Sequence, residues 1–95
     1  MEIIDNKSAK RFEHHLEGKI AFIDYILAKQ KIFLTHTEVP RAFEGKGIGS
    51  ALVKAVLEEV KERELTLVPM CPFVAAYIKR HPEWKELVLR GIKLK

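Results

Sequence analysis

Apolar residues recur at every second position early in this chain and at every third or fourth position later, a change of period that separates sheet from helix. Arg11 to Leu16 predicts a first strand, Glu17-Gly18 a turn, and Lys19 to Lys29 a longer second strand, together a hairpin. In the second strand Ile20, Phe22, Tyr25 and Leu27 mix with Ala21, Ile23 and Ile26, so a bulge near Asp24 is expected where the alternation slips. Lys31 to Val39 predicts a third strand, whose alternation puts Ile32, Leu34, His36 and Glu38 on one face and Phe33, Thr35, Thr37 and Val39 on the other. Pro40 has no N–H to donate and ends it. From Gly47 to about Arg63, the spacing of Ile48, Ala51, Leu52, Ala55, Val56 and Val60 predicts a helix with one buried stripe. Leu65 to Val68 reads as a short strand. Pro69 and Pro72 punctuate the chain before a second helix from about Phe73 to His81, and a brief helix or strand near Trp84 to Lys93 closes it. The order is β-β-β-α-β-α: an α+β fold with a mainly antiparallel sheet and two main helices, with residues 1–95 as one domain.

Composition narrows the class. An apolar fraction of 47% with 32% charged residues is that of a globular protein, too hydrophobic for a disordered one. No apolar run approaches the about 20 residues of a bilayer span, and Met1-Glu2-Ile3-Ile4-Asp5 lacks the basic start and apolar core of a signal peptide, so a cytoplasmic location with no membrane partner is expected. The lone Cys71 cannot form an internal disulfide, which fits a reducing compartment. Seventeen Lys and Arg against thirteen Asp and Glu leave a charge of +4, which favours anionic ligands without declaring a nucleic-acid binder. His14 and His15 have no third ligand at metal spacing, so no metal site is expected.

The candidate chemistry gathers in Glu44-Gly45-Lys46-Gly47-Ile48-Gly49-Ser50, where three alternating glycines run into the first helix. The leading N–H groups of a helix have no carbonyl partner and its dipole adds positive charge there, so this junction can hold a phosphate. Two common phosphate motifs do not fit. The loop G-x-x-x-x-G-K needs Ser or Thr after its lysine, whereas Gly47 follows Lys46. The dinucleotide fingerprint G-x-G-x-x-G needs glycine where Ser50 stands.

The glycine run, following an antiparallel meander and leading to a strand and a second helix, resembles the acyl-CoA-dependent GNAT N-acetyltransferases. With His36-Thr37-Glu38-Val39-Pro40, Val68-Pro69-Met70-Cys71-Pro72-Phe73-Val74 and Tyr77-Ile78-Lys79-Arg80-His81-Pro82-Glu83-Trp84, the likeness is closest to a small truncated GNAT subfamily and spans Arg11 to Trp84. The resemblance implies acetyl-CoA as cofactor. In that family a loop patterned as Gln or Arg, two residues, glycine, one residue, then glycine or alanine wraps the pyrophosphate, which sets Gly47 and Gly49 on its glycine positions. Glu44 then replaces the usual Gln or Arg, leaving the amides of Gly45 through Ser50, Ile48 among them, with Arg41 and Lys46 for charge. The family also runs the pantetheine arm along the strand before the loop, here Thr37 to Val39, as open strand edges hold extended ligands.

Acetyl transfer to an amine needs a group to take the ammonium proton and a way to stabilise the oxyanion. His36 is the candidate base, with Glu38 on the same strand face to orient it; a packed histidine beside a solvated carboxylate is the competing explanation. Cys71, set by Pro72 at a helix N-terminus, is the second candidate, as covalent acetyl carrier or as proton donor to the leaving thiolate; a small buried hydrophobe is its alternative. The resemblance implies a tyrosine acid in the region of Tyr77, but its spacing also fits the helix's core face, which is the favoured reading. The reading is an acetyl-CoA-dependent N-acetyltransferase acting on an unidentified small amine, lysine or protein terminus, with a non-catalytic acyl-CoA-binding module as the alternative. A basic RNA-binding domain is disfavoured, because Phe12, Phe22, Tyr25 and Phe33 are spread as core residues rather than a stacking platform.

Overall fold

The computed structural model describes residues 1–94. Five strands form one mixed sheet: β1 (Ile4–Asn6), β2 (Arg11–Leu16), β3 (Lys19–Ala28), β4 (Lys31–Glu38) and β5 (Thr66–Pro69). They lie side by side in chain order. The first four pair antiparallel and β5 joins β4 in parallel, because α1 (Ile48–Glu62) carries the chain back along the sheet before β5 begins. Next comes α2 (Pro72–Arg80), then a 3-10 turn over Pro82–Leu87, and Val88 bridges in parallel to Leu67 at the sheet's far edge. No helix among the described residues is long and apolar enough to cross a membrane.

The expected α+β architecture holds, with three differences. Residues 4–6 add a strand at the edge, so the order is β-β-β-β-α-β-α. The closing segment is a 3-10 turn with a single bridge rather than a regular element. The third concerns the bulge. Register shifts between Asp24 and Tyr25, but β3 itself alternates cleanly, with Ala21, Ile23 and Tyr25 all buried. Asp24 faces His36 while Tyr25 faces Leu34, so the extra residue is Thr35, on β4.

That one residue reverses the phase of β4. Ile32 and Leu34 are fully buried under the helices; beyond the bulge Thr37 takes the inward place, paired with Ile23. His36 and Glu38 turn outward and are exposed, so they do not share a face with Ile32 and Leu34 as strict alternation requires. Both helices pack on the inward face, where Leu52, Val53, Val56, Leu57 and Val60 of α1 meet Val74, Tyr77 and Ile78 of α2 and the strand residues in one core. Val53 and Leu57 are buried while Ala51 is exposed, so the stripe of α1 is rotated slightly from the expected one. Among the described residues, no helix packs on the opposite face of the sheet.

Candidate functional site

Strands β4 and β5 pair only from Lys31 with Thr66 to Leu34 with Pro69. There the ladder parts: the N–H groups of Met70 and Cys71 both donate to the carbonyl of Leu34, at 3.0 and 2.9 Å, and the chain turns away into α2. Among the described residues, no strand pairs with that edge of β4 from Thr35 to Glu38. The split opens at the Thr35 bulge and exposes a row of backbone groups from 35 to 39, a ready docking edge for an extended ligand.

Beyond Pro40, a 3-10 turn over Arg41–Phe43 anchors the next loop by burying the Phe43 ring. Gly47 is the N-cap of α1 and sits in the left-handed region at φ 74°, with open space where a Cβ would stand. Gly49 is glycine for a different reason. A Cβ there would lie 2.7 Å from Cζ of Phe73 and 3.4 Å from Cγ2 of Val39. The first bond of α1 runs from the N–H of Ala51 to the carbonyl of Gly47, so among the described residues no backbone carbonyl accepts from the N–H groups of Gly45, Gly47, Ile48, Gly49 or Ser50. The residues that carry these five donors line a hollow of about 240 Å3, together with Val39, Phe43, Glu44 and Phe73.

The expected ligand residues therefore divide. Val39, Gly45, Gly47, Ile48, Gly49 and Ser50 come together at the hollow. Arg41 and Lys46 are exposed and do not line it, whereas Glu44 does. Thr37 lies farther along β4, where its hydroxyl shares a hydrogen bond of 3.3 Å with the Cys71 thiol. Cys71 is the N-cap residue of α2 with Pro72 in the first turn, and it is only 4% exposed. Phe43 and Phe73 were not among the expected ligand residues. A lone aromatic near a helix start carries no sequence signal of which loop it meets.

The candidate catalytic residues fall on two sides of one strand. His36 Nε2 lies 2.7 Å from Glu38 Oε2, both side chains more than half exposed on the outward face. Cys71 and Thr37 lie on the inward side of β4. On the outward face next to His36 stand the Phe22 ring, at 6.4 Å between centroids, and Arg11, whose guanidinium lies 4.3 Å over that ring. Arg11 also pairs with Glu13, a carboxylate buried on this face by its own partners, which include His15 at 2.7 Å and Asn6 at 2.9 Å. Hydrogen bonds from His15, Arg11 and Asn6 outweigh its partial desolvation and hold Glu13 down at about 2. Tyr77, as expected, is buried in the core, and burial pushes its phenol upward.

The sequence and the fold have known counterparts. The sequence profile described as GCN5-related N-acetyl-transferase matches residues 11–87. Protein NATD1 of Homo sapiens is 36% identical over 81 residues, covering 81% of this chain and 71% of its own length. Protein NATD1 of Danio rerio is 29% identical over 94 residues, covering 94% and 86%. Among solved structures, the NMR solution structure of a GCN5-like candidate N-acetyltransferase from Staphylococcus aureus matches with a TM-score of 0.70 at 25% identity, over 97% of this chain and 90% of that one. The fold is thus shared along nearly the whole chain, and the chain belongs to the GCN5-related N-acetyltransferase family.

Proposed function

We propose that this protein is an N-acetyltransferase that moves the acetyl group of acetyl-CoA to a primary amine. The observation that carries the reading is the set of five N–H groups without a backbone partner at residues 45 and 47–50, on residues that line a hollow beside the unpaired end of β4. Such a cradle fits a diphosphate, since backbone donors and the dipole of a fifteen-residue helix favour an anion. It must do so against Glu44, whose carboxylate opposes the ligand's charge unless it swings outward. The open edge of β4 from 37 to 39 suits the pantetheine arm, and acetyl-CoA when bound supplies the activated thioester.

The residues on either side of β4 then take separate parts. An amine approaching over the uncovered face meets His36, held by Glu38, which takes the ammonium proton. The amine nitrogen forms its bond to the acyl carbon as the carbon–sulfur bond breaks, and the sulfur leaves as a thiolate that needs a proton. The Cys71 thiol, on the inward side with Thr37, is suited to return that proton. Its burial argues for this role over an acetylated carrier, which would have to reach the thioester directly.

Incubation with acetyl-CoA and a panel of lysine peptides, amino-terminal peptides and polyamines, read by thiol release and product mass, tests the reading. Transfer is expected, with His36→Ala reducing kcat about 10²-fold or more and leaving acetyl-CoA affinity unchanged. One observation favours a second reading, a binding module without turnover: the outward face has no helix to wall in an acceptor. Tight acetyl-CoA binding with no acetylated amine from any class would select it.

A further inference from the structure

The cations near the end of the chain are sorted rather than scattered. Lys79 at the end of α2, Lys85 in the 3-10 turn, and Arg90 and Lys93 beyond it line one hollow of about 550 Å3, more than twice the volume of the hollow at the glycine loop, about 240 Å3. No Asp or Glu lines it. Elsewhere basic side chains find acids: Arg11 pairs with Glu13, Arg63 with Asp5 and Glu59, and Lys61 with Glu86. Among the described residues none of the four cations of the hollow has such a partner. The acids Glu58, Glu62 and Glu64 line a separate hollow beside Trp84. Lys79 complements the dipole at the end of α2, which accounts for one charge of the four. Like charges around one concavity repel each other until an anion joins them.

This hollow does not stand alone. Ile92 and Lys93 also line a second one of about 420 Å3, with Phe33, Val68 and Met70, whose lining is apolar apart from Lys93. Phe33 pairs with Ile26 and sits between the inward-facing Ile32 and Leu34, so it lies on the outward face of β4, where His36 is the next residue beyond the bulge. One path therefore runs from the candidate base, over an apolar trough, to four cations. Its ends differ in charge: at the base end Glu38 holds His36, and Asp24 stands opposite His36 on β3. We propose that the hollow of Lys79, Lys85, Arg90 and Lys93 holds an acidic stretch of a peptide acceptor whose amine lies at His36, which makes the substrate class an acidic polypeptide rather than a free polyamine. The inference rests on the transferase reading. An ammonium is drawn to the acidic end, apolar side chains to the trough and carboxylates to the cations. Three lysines to one arginine suit several carboxylates, since ammonium groups on flexible stems act as movable point charges, whereas close recognition of one phosphate favours arginine's planar fork. A nucleic acid fits less well, because its backbone would meet Glu38 and Asp24 and leave the trough empty. From His36 back to Phe33 is three residues of strand, about 10 Å. An extended peptide covers that span in about three residues, so its acids stand about four residues or more from the amine.

Two peptides test this, each with a free amino terminus and a lysine beside it. In one, three glutamates begin four residues beyond the lysine; in the other, glutamines replace them. Binding is read by fluorescence anisotropy and transfer from acetyl-CoA by product mass. The proteins are the wild type, Lys85→Gln/Arg90→Gln and a charge-matched control, Lys19→Gln/Lys54→Gln, all changed at exposed positions. The glutamate peptide is expected to bind the wild type about tenfold or more tightly than the glutamine peptide at low salt, an advantage that shrinks as salt rises, and to show a lower KM at similar kcat. Lys85→Gln/Arg90→Gln is expected to remove most of that advantage and the control little of it. Equal Kd and KM for the two peptides, or the same loss in the control, overturns the proposal, as does an RNA oligonucleotide of equal charge that outcompetes the glutamate peptide. Equal acetylation of both peptides sinks this inference alone. If neither peptide is acetylated, the transferase reading falls and takes the inference with it.

Discussion

Glu13 shows how one side chain can be costly and useful together. A carboxylate on a sheet face with 3% of its surface exposed is stable only because His15, Arg11 and Asn6 satisfy it. Its folded value of about 2 lies below the ordinary 4.5, so its contribution is complete above pH 4.5 and drains away as pH falls toward 2. The shift sets a ceiling of about 3 kcal/mol, which solvent beside so thin a cover reduces to on the order of 1–2 kcal/mol. Glu13→Gln is expected to lose that much stability at pH 7 and to flatten the acid limb of a denaturation series between pH 5 and 2. An unchanged acid limb would show that the cluster is not what acid disrupts. None of this was legible in the sequence, where Arg11-Phe12-Glu13-His14-His15 reads as an ordinary polar strand. His36 and Glu38 were legible as a pair, but their face was not. Thr35, His36 and Thr37 are all polar, so nothing in the pattern marks where the phase changes.

At the scale of elements, β1 is a three-residue strand held by side chains more than by its own ladder. The Tyr25 hydroxyl of β3 donates to Asp5 at 2.6 Å, and Arg63 at the end of α1 pairs with Asp5 at 3.0 Å and with Glu59 at 2.7 Å. Burial, then the bond to Asp5, pushes the Tyr25 phenol up to about 12 from an ordinary 10. Its contribution is therefore whole below pH 10 and is lost as pH rises toward 12. Asp5→Ala is expected to bring the Tyr25 midpoint down toward 10, followed by NMR of labelled tyrosine, and to strip hydrogen-exchange protection from residues 4–6. A midpoint that stays near 12 would mean that burial alone sets it. Three residues with no alternation give a strand no sequence signature, which is why β1 was invisible. The helices were visible because their signals are local: the period of α1 between Gly47 and Arg63, and Pro72 at the head of α2. The split of β4 from β5 was not local. It depends on the N–H groups of Met70 and Cys71 both reaching the carbonyl of Leu34, far back along the chain.

Across the whole molecule, the helices among the described residues pack on one face of a mixed sheet, and β4 and β5 part beyond Leu34 and Pro69. The glycine loop, the Cys-Pro turn and their order along the chain made the family legible from sequence, and with it a candidate site. The charge at the site was not. Arg41 and Lys46 stand near the loop in sequence yet border no part of the hollow, which leaves backbone donors as its binding groups for an anion. Everything proposed for the chemistry depends on those donors. The direct test is a titration of the 15N-labelled protein with acetyl-CoA, following the amides of Gly45, Gly47, Ile48, Gly49 and Ser50. Saturable downfield shifts of these five, larger than those of the β1–β2 hairpin, are the predicted result. Five resonances that stay in place at saturating acetyl-CoA would contradict it.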